Sequence, residues 1–208
     1  MKHKLALFDI DYTLISVDSL IKFIFYIFKL YPLKILCLPY LLLISLVKIL
    51  GFISIETLKN NWLILLKNVP PERLDEISLN FVEKKIKRWI KPQVPQLIDK
   101  LRAEGYRIIC ASASFEFYVK HICALLNVTE YFGTEVEYKN ERYYVKGKNC
   151  KDYQKINRIL SKISIDDIDV KNSVGYSDSK SDLPFLQIVK KFYLISKKRW
   201  KIKKEYKI

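Results

Sequence analysis

The sequence predicts an α/β fold: a doubly wound parallel sheet interrupted by a helical, strongly hydrophobic insert. Three observations point to it. Short runs such as Leu5-Ala6-Leu7-Phe8 and Ile108-Ile109-Cys110-Ala111 are apolar at every position, as strands covered on both faces are. From about residue 96 onward such runs alternate with helix-length segments, the pattern of parallel strands joined by crossover helices. Between the first run and the rest, residues 16–95 read as helical, and their first half is unusually greasy. At 208 residues the chain can bury one good core and carry a smaller appended unit.

Each element has a local reason. The first strand ends at Asp9-Ile10-Asp11-Tyr12-Thr13, where two carboxylates two positions apart share one face of an extended backbone. Acids that close repel unless a cation or proton intervenes, so the position invites Mg²⁺. Val94 to Glu104 reads as a helix stopped by Gly105, and Tyr106 to Ala111 as a buried strand ending at Ser112-Ala113-Ser114. A helix follows over Glu116–Leu126. Thr134–Tyr138 and Arg142–Lys146 form a hairpin about Lys139-Asn140, and Asp152–Lys162 is a helix. Asn172–Tyr176 is a strand running into Ser177-Asp178-Ser179-Lys180-Ser181-Asp182, followed by a short helix over Leu183–Val189 and a last strand over Phe192–Ile195. No internal repeat is present.

Composition narrows the function classes. The net charge of +15 calls for an anionic partner, and half of the residues are hydrophobic, which excludes a disordered tail. The basic residues are mainly Lys with no Arg-rich segment, so no nucleic-acid partner is expected. Cys37, Cys110, Cys123 and Cys150 are scattered without a CxxC pair, which argues against zinc and a disulfide framework and fits a reducing compartment. Cys150 reads as a packing residue rather than a nucleophile. His3 and His121 show no partners for a Ser-His-Asp arrangement.

In a parallel sheet the loops after the strands lie along one edge, where open α/β sheets bind ligands. Asp9/Asp11, Ser112 and Asp178/Asp182 therefore converge although they lie up to 173 positions apart. The acids suit a hard divalent cation, and the Ser112 hydroxyl with Lys155 near a helix start suits phosphate oxygens.

These residues, in this order, resemble the haloacid dehalogenase (HAD) superfamily of phosphatases, subfamily IB, the branch that includes phosphoserine phosphatase. Asp9-Ile10-Asp11-Tyr12-Thr13 is similar to the DxDxT motif, Ser112 to the hydroxyl that closes the second strand, Lys155 to the motif lysine five residues after Cys150, and Asp178 with Asp182 to the paired acid loop. The resemblance covers nearly the whole chain. It implies a Rossmann-like core of residues 1–15 and 96–208 and a helical cap over 16–95. It implies Asp9 as the nucleophile that forms an aspartyl-phosphate, and Asp11 as the acid that protonates the leaving alkoxide and then activates water. It implies Mg²⁺ on the Asp9 carboxylate, the Asp11 carbonyl and Asp178, with Thr13, Ser112 and Lys155 on the transferring oxygens and Asp182 orienting Lys155 or a metal-bound water. Two positions depart from the pattern: Tyr12 and Asp152 stand where relatives carry Gly, and neither change removes a functional group.

The insert carries the second expectation. Ile35 to Ile53 holds one charge, Lys48, in nineteen residues, near the length of a transmembrane helix. Catalytic motifs lie on both sides of it, so a single complete crossing is excluded. A hairpin, a re-entrant dip, an in-plane anchor or a buried cap remain. Leu20–Tyr31 is about 18 Å long as a helix, short of a roughly 30 Å hydrocarbon core. The favoured form is a shallow hairpin over about 20–53, broken at Pro32 and Pro39, whose Lys22, Lys29, Lys34 and Lys48 snorkel to headgroups. The basic Lys197–Lys204 segment around Trp200 adds to an expected contact with an anionic membrane. This layout resembles the bacterial phosphatidylglycerophosphate phosphatase C group, down to Gly175-Tyr176-Ser177-Asp178-Ser179. The resemblance implies a phosphorylated lipid substrate at the cytoplasmic face of the inner membrane. The alternatives are a cytoplasmic phosphatase for phosphoserine or a sugar phosphate, a phosphotransferase, and a non-catalytic membrane adaptor that keeps the fold.

Overall fold

The computed structural model describes residues 2–207. Strand β1 (Lys4–Phe8) leads through a wide, kinked turn over Ile10–Leu14 into the insert: α1 (Ser19–Leu30), a 3₁₀ segment Pro32–Cys37 that runs directly into α2 (Leu38–Ile49), α3 (Ile55–Trp62) and α4 (Pro71–Phe81). After α5 (Val94–Ala103) come β2 (Tyr106–Phe115), α6 (Glu116–Leu125), β3 (Glu130–Thr134), the hairpin β4 (Val136–Lys139) and β5 (Arg142–Val145), and α7 (Tyr153–Leu160). The chain closes with β6 (Val174–Ser177), a 3₁₀ stretch Lys180–Gln187, β7 (Lys191–Ile195) and β8 (Ile202–Lys207).

The main sheet has the order β3-β2-β1-β6-β7-β8, parallel throughout except for the β7–β8 pair. The chain works outward from β1 in one direction and returns to its other side at β6, so the end of β1 is the topological switch point where such sheets open a crevice. The strand is apolar on both faces for a visible reason. Leu5 and Leu7 enter the core beneath α7 and the 180–187 stretch, while Ala6 and Phe8 enter the core beneath α1, α4 and α6. Phe8 stacks on Tyr176 of β6 at 4.8 Å, and Tyr176 on Tyr193 of β7 at 5.2 Å, tying the three strands together on that face. At the β3 edge the sheet packs tightly against the start of α6. A Cβ on Gly133 would stand 2.6 Å from the Glu116 Cα, so only Gly lets β3 approach the start of that helix.

Two strands escaped the sequence reading. Residues 130–134 form β3 and pair with β2, so Thr134 closes a sheet strand and the hairpin begins only at Val136. The lysine-rich C-terminus is a strand, not a free basic tail: a tight turn joins Ser196 to Lys201, and β8 pairs antiparallel with β7, covering its open edge. Trp200 faces inward on Tyr176 at 5.8 Å rather than outward. The insert also differs in detail. Pro39 sits in the first turn of α2, where its missing N–H costs nothing, so it does not break the arm. Lys34 does not reach outward either; its Nζ donates to the Leu65 and Lys67 carbonyls.

The span Pro32–Ile49 is 18 residues with mean hydropathy 1.9, and only 6 % of it is buried. Leu41 is the residue of α2 that enters the core, while Leu42, Leu43, Leu46 and Ile49 remain exposed. This helix lacks the polar outer face of a soluble amphipathic helix.

Tyr12 and Asp152 both adopt positive φ, 57° and 52°. The Tyr12 ring is covered by the Lys197 ammonium at 4.9 Å, a contact that helps hold the strained turn. Asp152 precedes α7 with φ 52° and ψ −128°, a region natural to Gly, and its side chain makes no capping hydrogen bond. Asp152→Gly should therefore stabilise the fold by about 1 kcal/mol, a rise of roughly 2–4 °C in Tm by thermal unfolding. An unchanged or lower Tm would show that the Asp152 side chain offsets its backbone strain.

Candidate active site

Asp9 immediately follows β1, and its backbone N–H donates to the Tyr176 carbonyl of β6, so its side chain is delivered at the crevice between these strands. The site residues are assembled from four segments. Asp9, Asp11, Ser112, Lys155, Asp178 and Asp182 line one cleft of about 190 Å³.

The centre of the cleft is a buried lysine. Lys155 Nζ donates to Asp9 Oδ1 at 2.6 Å and to Asp182 Oδ2 at 2.8 Å. Burial pulls the Lys155 ammonium down, but the Asp9 and Asp182 carboxylates more than offset this and hold it above the ordinary lysine value. Asp182 Oδ2 also accepts from Ser177 Oγ at 2.6 Å, while its buried Oδ1 has no partner among the described residues. Burial raises the Asp9 carboxyl to about 7, against the pull of Lys155, and the Asp182 and Asp11 carboxylates add to the rise.

Asp11 is held differently. Its Oδ1 accepts from the Ser19 N–H at 2.9 Å, and its Oδ2 accepts from Ser114 Oγ at 2.6 Å. Burial, with the nearby Asp18 charge, raises it to about 6 against those bonds. A carboxyl poised there can give and take a proton near neutral pH. Thus one acid is pinned by a cation and the other is turned by hydroxyl and amide donors, although they stand two residues apart.

Thr13 is fully buried; its Oγ1 donates to Asp9 Oδ2 at 3.2 Å and accepts from the Asp178 N–H at 2.8 Å. Its hydroxyl therefore ties the first motif to the acid loop and does not line the cleft. Ser112 lies at the floor, where its Oγ accepts from the Ser114 N–H. Asp178 is raised by burial, with Lys197 opposing from 3.7 Å. Cys150 is wholly buried and burial pushes its thiol up to about 12, so it stays protonated and unreactive.

Several contributors were not read from the sequence. Ser114 could have been found, because strand alternation places it on the same face as Ser112. Ser177 had no signal beyond its place before Asp178. Lys91 Nζ donates to the Tyr12 carbonyl at 2.6 Å and to the Ser196 carbonyl at 2.7 Å, clamping the strained turn of the first motif. Lys59 of α3 is also buried and bonds to the Ala113 carbonyl, Thr134 Oγ1 and Asn149 Oδ1. Beside Asp11 a second cavity of about 480 Å³ opens between insert and sheet, lined in part by Lys48, Lys59, Asn149 and Lys151. Lys48 comes from the last turn of the apolar helix α2.

Among the described residues, no three His, Cys, Asp or Glu side chains gather into a metal-holding group. The cleft is lined by the carboxyl groups of Asp9, Asp11, Asp178 and Asp182, oxygen donors of the kind a hard cation takes.

Comparison with known proteins bears on the family and the fold. A histidinol-phosphatase from Neisseria meningitidis serogroup C (strain 8013) is 27 % identical over 145 residues, which cover 67 % of this chain and 65 % of that protein. The matched stretch thus spans just under two thirds of that relative's length. A crystal structure of a Bordetella pertussis Tohama I protein with unknown function superposes with a TM-score of 0.76 at 22 % identity, covering 92 % of this chain and 89 % of that one. A phospho-aspartyl intermediate analogue of phosphoserine phosphatase superposes with a TM-score of 0.60 at 23 % identity, over 91 % of this chain and 84 % of that one. The model of the haloacid dehalogenase-like hydrolases matches residues 6–187, and the chain belongs to that family.

Proposed function

We propose that the chain is a Mg²⁺-dependent phosphomonoester hydrolase that works through a phosphoryl group on Asp9. Its preferred substrate in this reading is a phosphorylated lipid such as phosphatidylglycerophosphate. The observation that carries the chemistry is the division of labour between the two acids: Lys155 holds Asp9 at 2.6 Å, while Ser19 and Ser114 hold Asp11. The Asp9 carboxylate oxygen attacks phosphorus as the ester P–O bond breaks, and Asp11 gives its proton to the departing alkoxide. Asp11 then takes a proton from water as that water attacks phosphorus, releasing phosphate and restoring Asp9. Lys155 and the Ser112 hydroxyl offset charge on the transferring oxygens.

The residues at hand fit Mg²⁺. Asp9 is buried, raised toward protonation and crowded by the Asp182 and Asp11 charges, so a cation on it would favour the ionised form that attacks. Asp9, the Asp11 carbonyl and Asp178 would hold it, and when bound it screens the anionic nucleophile from the anionic ester.

The substrate reading is supported by the insert. We take residues 16–95 as a cap on a core of 1–15 and 96–208. Its exposed apolar span suits the cytoplasmic face of a bacterial inner membrane, and Lys48 of α2 reaches the cavity beside Asp11. A leaving alcohol that is itself anionic and carries acyl chains would match both. A second reading, a small soluble phosphomonoester, draws on the phosphoserine phosphatase and histidinol-phosphatase named above.

Asp9→Asn should abolish turnover, a loss of at least about a thousandfold, and Asp11→Asn should slow it by roughly 10²–10⁴-fold. Undiminished phosphate release by Asp9→Asn would remove it as nucleophile. Chelation with EDTA should silence the enzyme and added Mg²⁺ restore it; full activity after exhaustive chelation would contradict the metal assignment. Phosphate release from phosphatidylglycerophosphate in mixed micelles should exceed that from phosphoserine and histidinol phosphate by tenfold or more. The reverse preference would establish the soluble reading.

A further inference from the structure

Away from the catalytic cleft, α1 and the helical segment after α4 enclose a pocket of about 220 Å³. Its walls are Lys22, Phe25 and Lys29 on one side and Lys85, Arg88 and Trp89 on the other. Four cations thus converge on one small volume with no carboxylate in its lining. None of the four enters an ion pair among the described residues. Lys22 and Lys29 lie two helical turns apart on α1, and Lys85 and Arg88 one turn apart on the facing segment, so the backbone itself sets the cluster. Lys22 Nζ and the Arg88 guanidinium lie 5.5 Å and 5.8 Å from the centre of the Trp89 ring, which gathers the charges about one aromatic floor. That floor is fixed, since the Trp89 carbonyl accepts from the Ser16 N–H at 2.9 Å and from Ser16 Oγ at 3.3 Å.

Uncompensated cations held together by a fold repel, and a phosphate relieves that repulsion while accepting several charge-assisted hydrogen bonds. The rim says where the phosphate comes from. Phe25, in its wall, is 65 % exposed, Ile21 one turn before it on α1 is 49 % exposed, and α2, which follows α1 in the insert, exposes Leu42, Leu43 and Leu46. A free anion would have no use for this apolar margin, whereas a phospholipid would occupy both parts.

The geometry points to a headgroup site: Lys22, Lys29, Lys85 and Arg88, gathered about Trp89, bind the phosphate of an anionic phospholipid whose acyl chains lie against α1 and α2. The site is separate from the catalytic cleft, with which it shares no lining residue. It rests on the membrane reading above and adds a defined anchor to it. That anchor stands two residues from Lys91, the clamp on the first motif, so the docked lipid fixes the same strap that holds the catalytic turn.

The test is co-sedimentation of the full chain with vesicles of phosphatidylcholine alone and with vesicles that also contain phosphatidylglycerol. The wild type should bind the anionic vesicles at least tenfold more tightly. Lys85→Ala/Arg88→Ala should lose about tenfold or more of that preference while keeping its binding to neutral vesicles, its Tm and its turnover of a soluble monoester. Lys162→Ala/Lys171→Ala removes the same charge after α7 and before β6, at the sheet edge opposite the catalytic loops, and should keep the preference. If both double variants lose it equally, the attraction is diffuse charge and the site is overturned, although the membrane reading stands. If the Lys85/Arg88 variant keeps the preference in full, the site is likewise overturned. Wild-type binding to neither vesicle overturns the membrane reading and the site together. In a parallel arm inorganic phosphate is titrated in: displacement from anionic vesicles only at concentrations that act by ionic screening supports the lipid, whereas saturable micromolar displacement makes this a free-phosphate site and overturns the proposal.

Discussion

The Lys155 ammonium between Asp9 and Asp182 is the interaction on which the rest of the site depends. A carboxylate at the end of a fully apolar strand is costly to bury, and two of them are worse. One shared cation makes the arrangement tolerable and fixes the distance between the strand that carries Asp9 and the loop that carries Asp182. Ser177 and Thr13 extend the bond network from those acids into β6 and the first motif, so the loops of three segments are held by one buried charge cluster. A buried pair of this kind is weak as a source of stability but strong as a device for register. Losing the lysine alone would leave two buried carboxylates facing each other.

The first motif is paid for elsewhere in the fold. Tyr12 stands at positive φ, and the turn is stable because Lys91 binds its carbonyl and Lys197 covers its ring. Both lysines sit outside the catalytic residues, one at the end of the insert and one after β7. The turn that carries Asp11 is therefore held from both the insert and the C-terminal hairpin.

Much of this was legible in the sequence, and what was not has identifiable causes. Asp9, Asp11, Ser112, Asp178 and Asp182 could be brought to one edge because strands apolar on both faces imply a parallel sheet, and a parallel sheet aligns its loops; Lys155, at a helix start, was placed with them by the family resemblance. β3 was missed because Glu130-Tyr131-Phe132-Gly133-Thr134 mixes polar, aromatic and Gly positions and shows no clean period. β8 was missed because an edge strand is protected by charge, and Ile202 to Lys207 reads as a basic tail until its partner β7 is known. The roles of Lys59, Lys91 and Lys34 were invisible for a simpler reason. Among 37 basic residues nothing local distinguishes a lysine that folds inward onto carbonyls from one that meets water. The apolar insert was legible as a departure from an amphipathic pattern, and its exposed α2 is where that departure appears in three dimensions.

The central claim is that Asp9 carries the phosphoryl group. Rapid acid quench of the enzyme during turnover, followed by peptide mass spectrometry, tests it most directly. One phosphoryl mass on the peptide that contains Asp9, labile to hydroxylamine as an acyl phosphate is, is the predicted result, with more of it accumulating when Asp11 is replaced by Asn. Turnover with the phosphoryl group on another residue, or with none on the chain, would contradict the account.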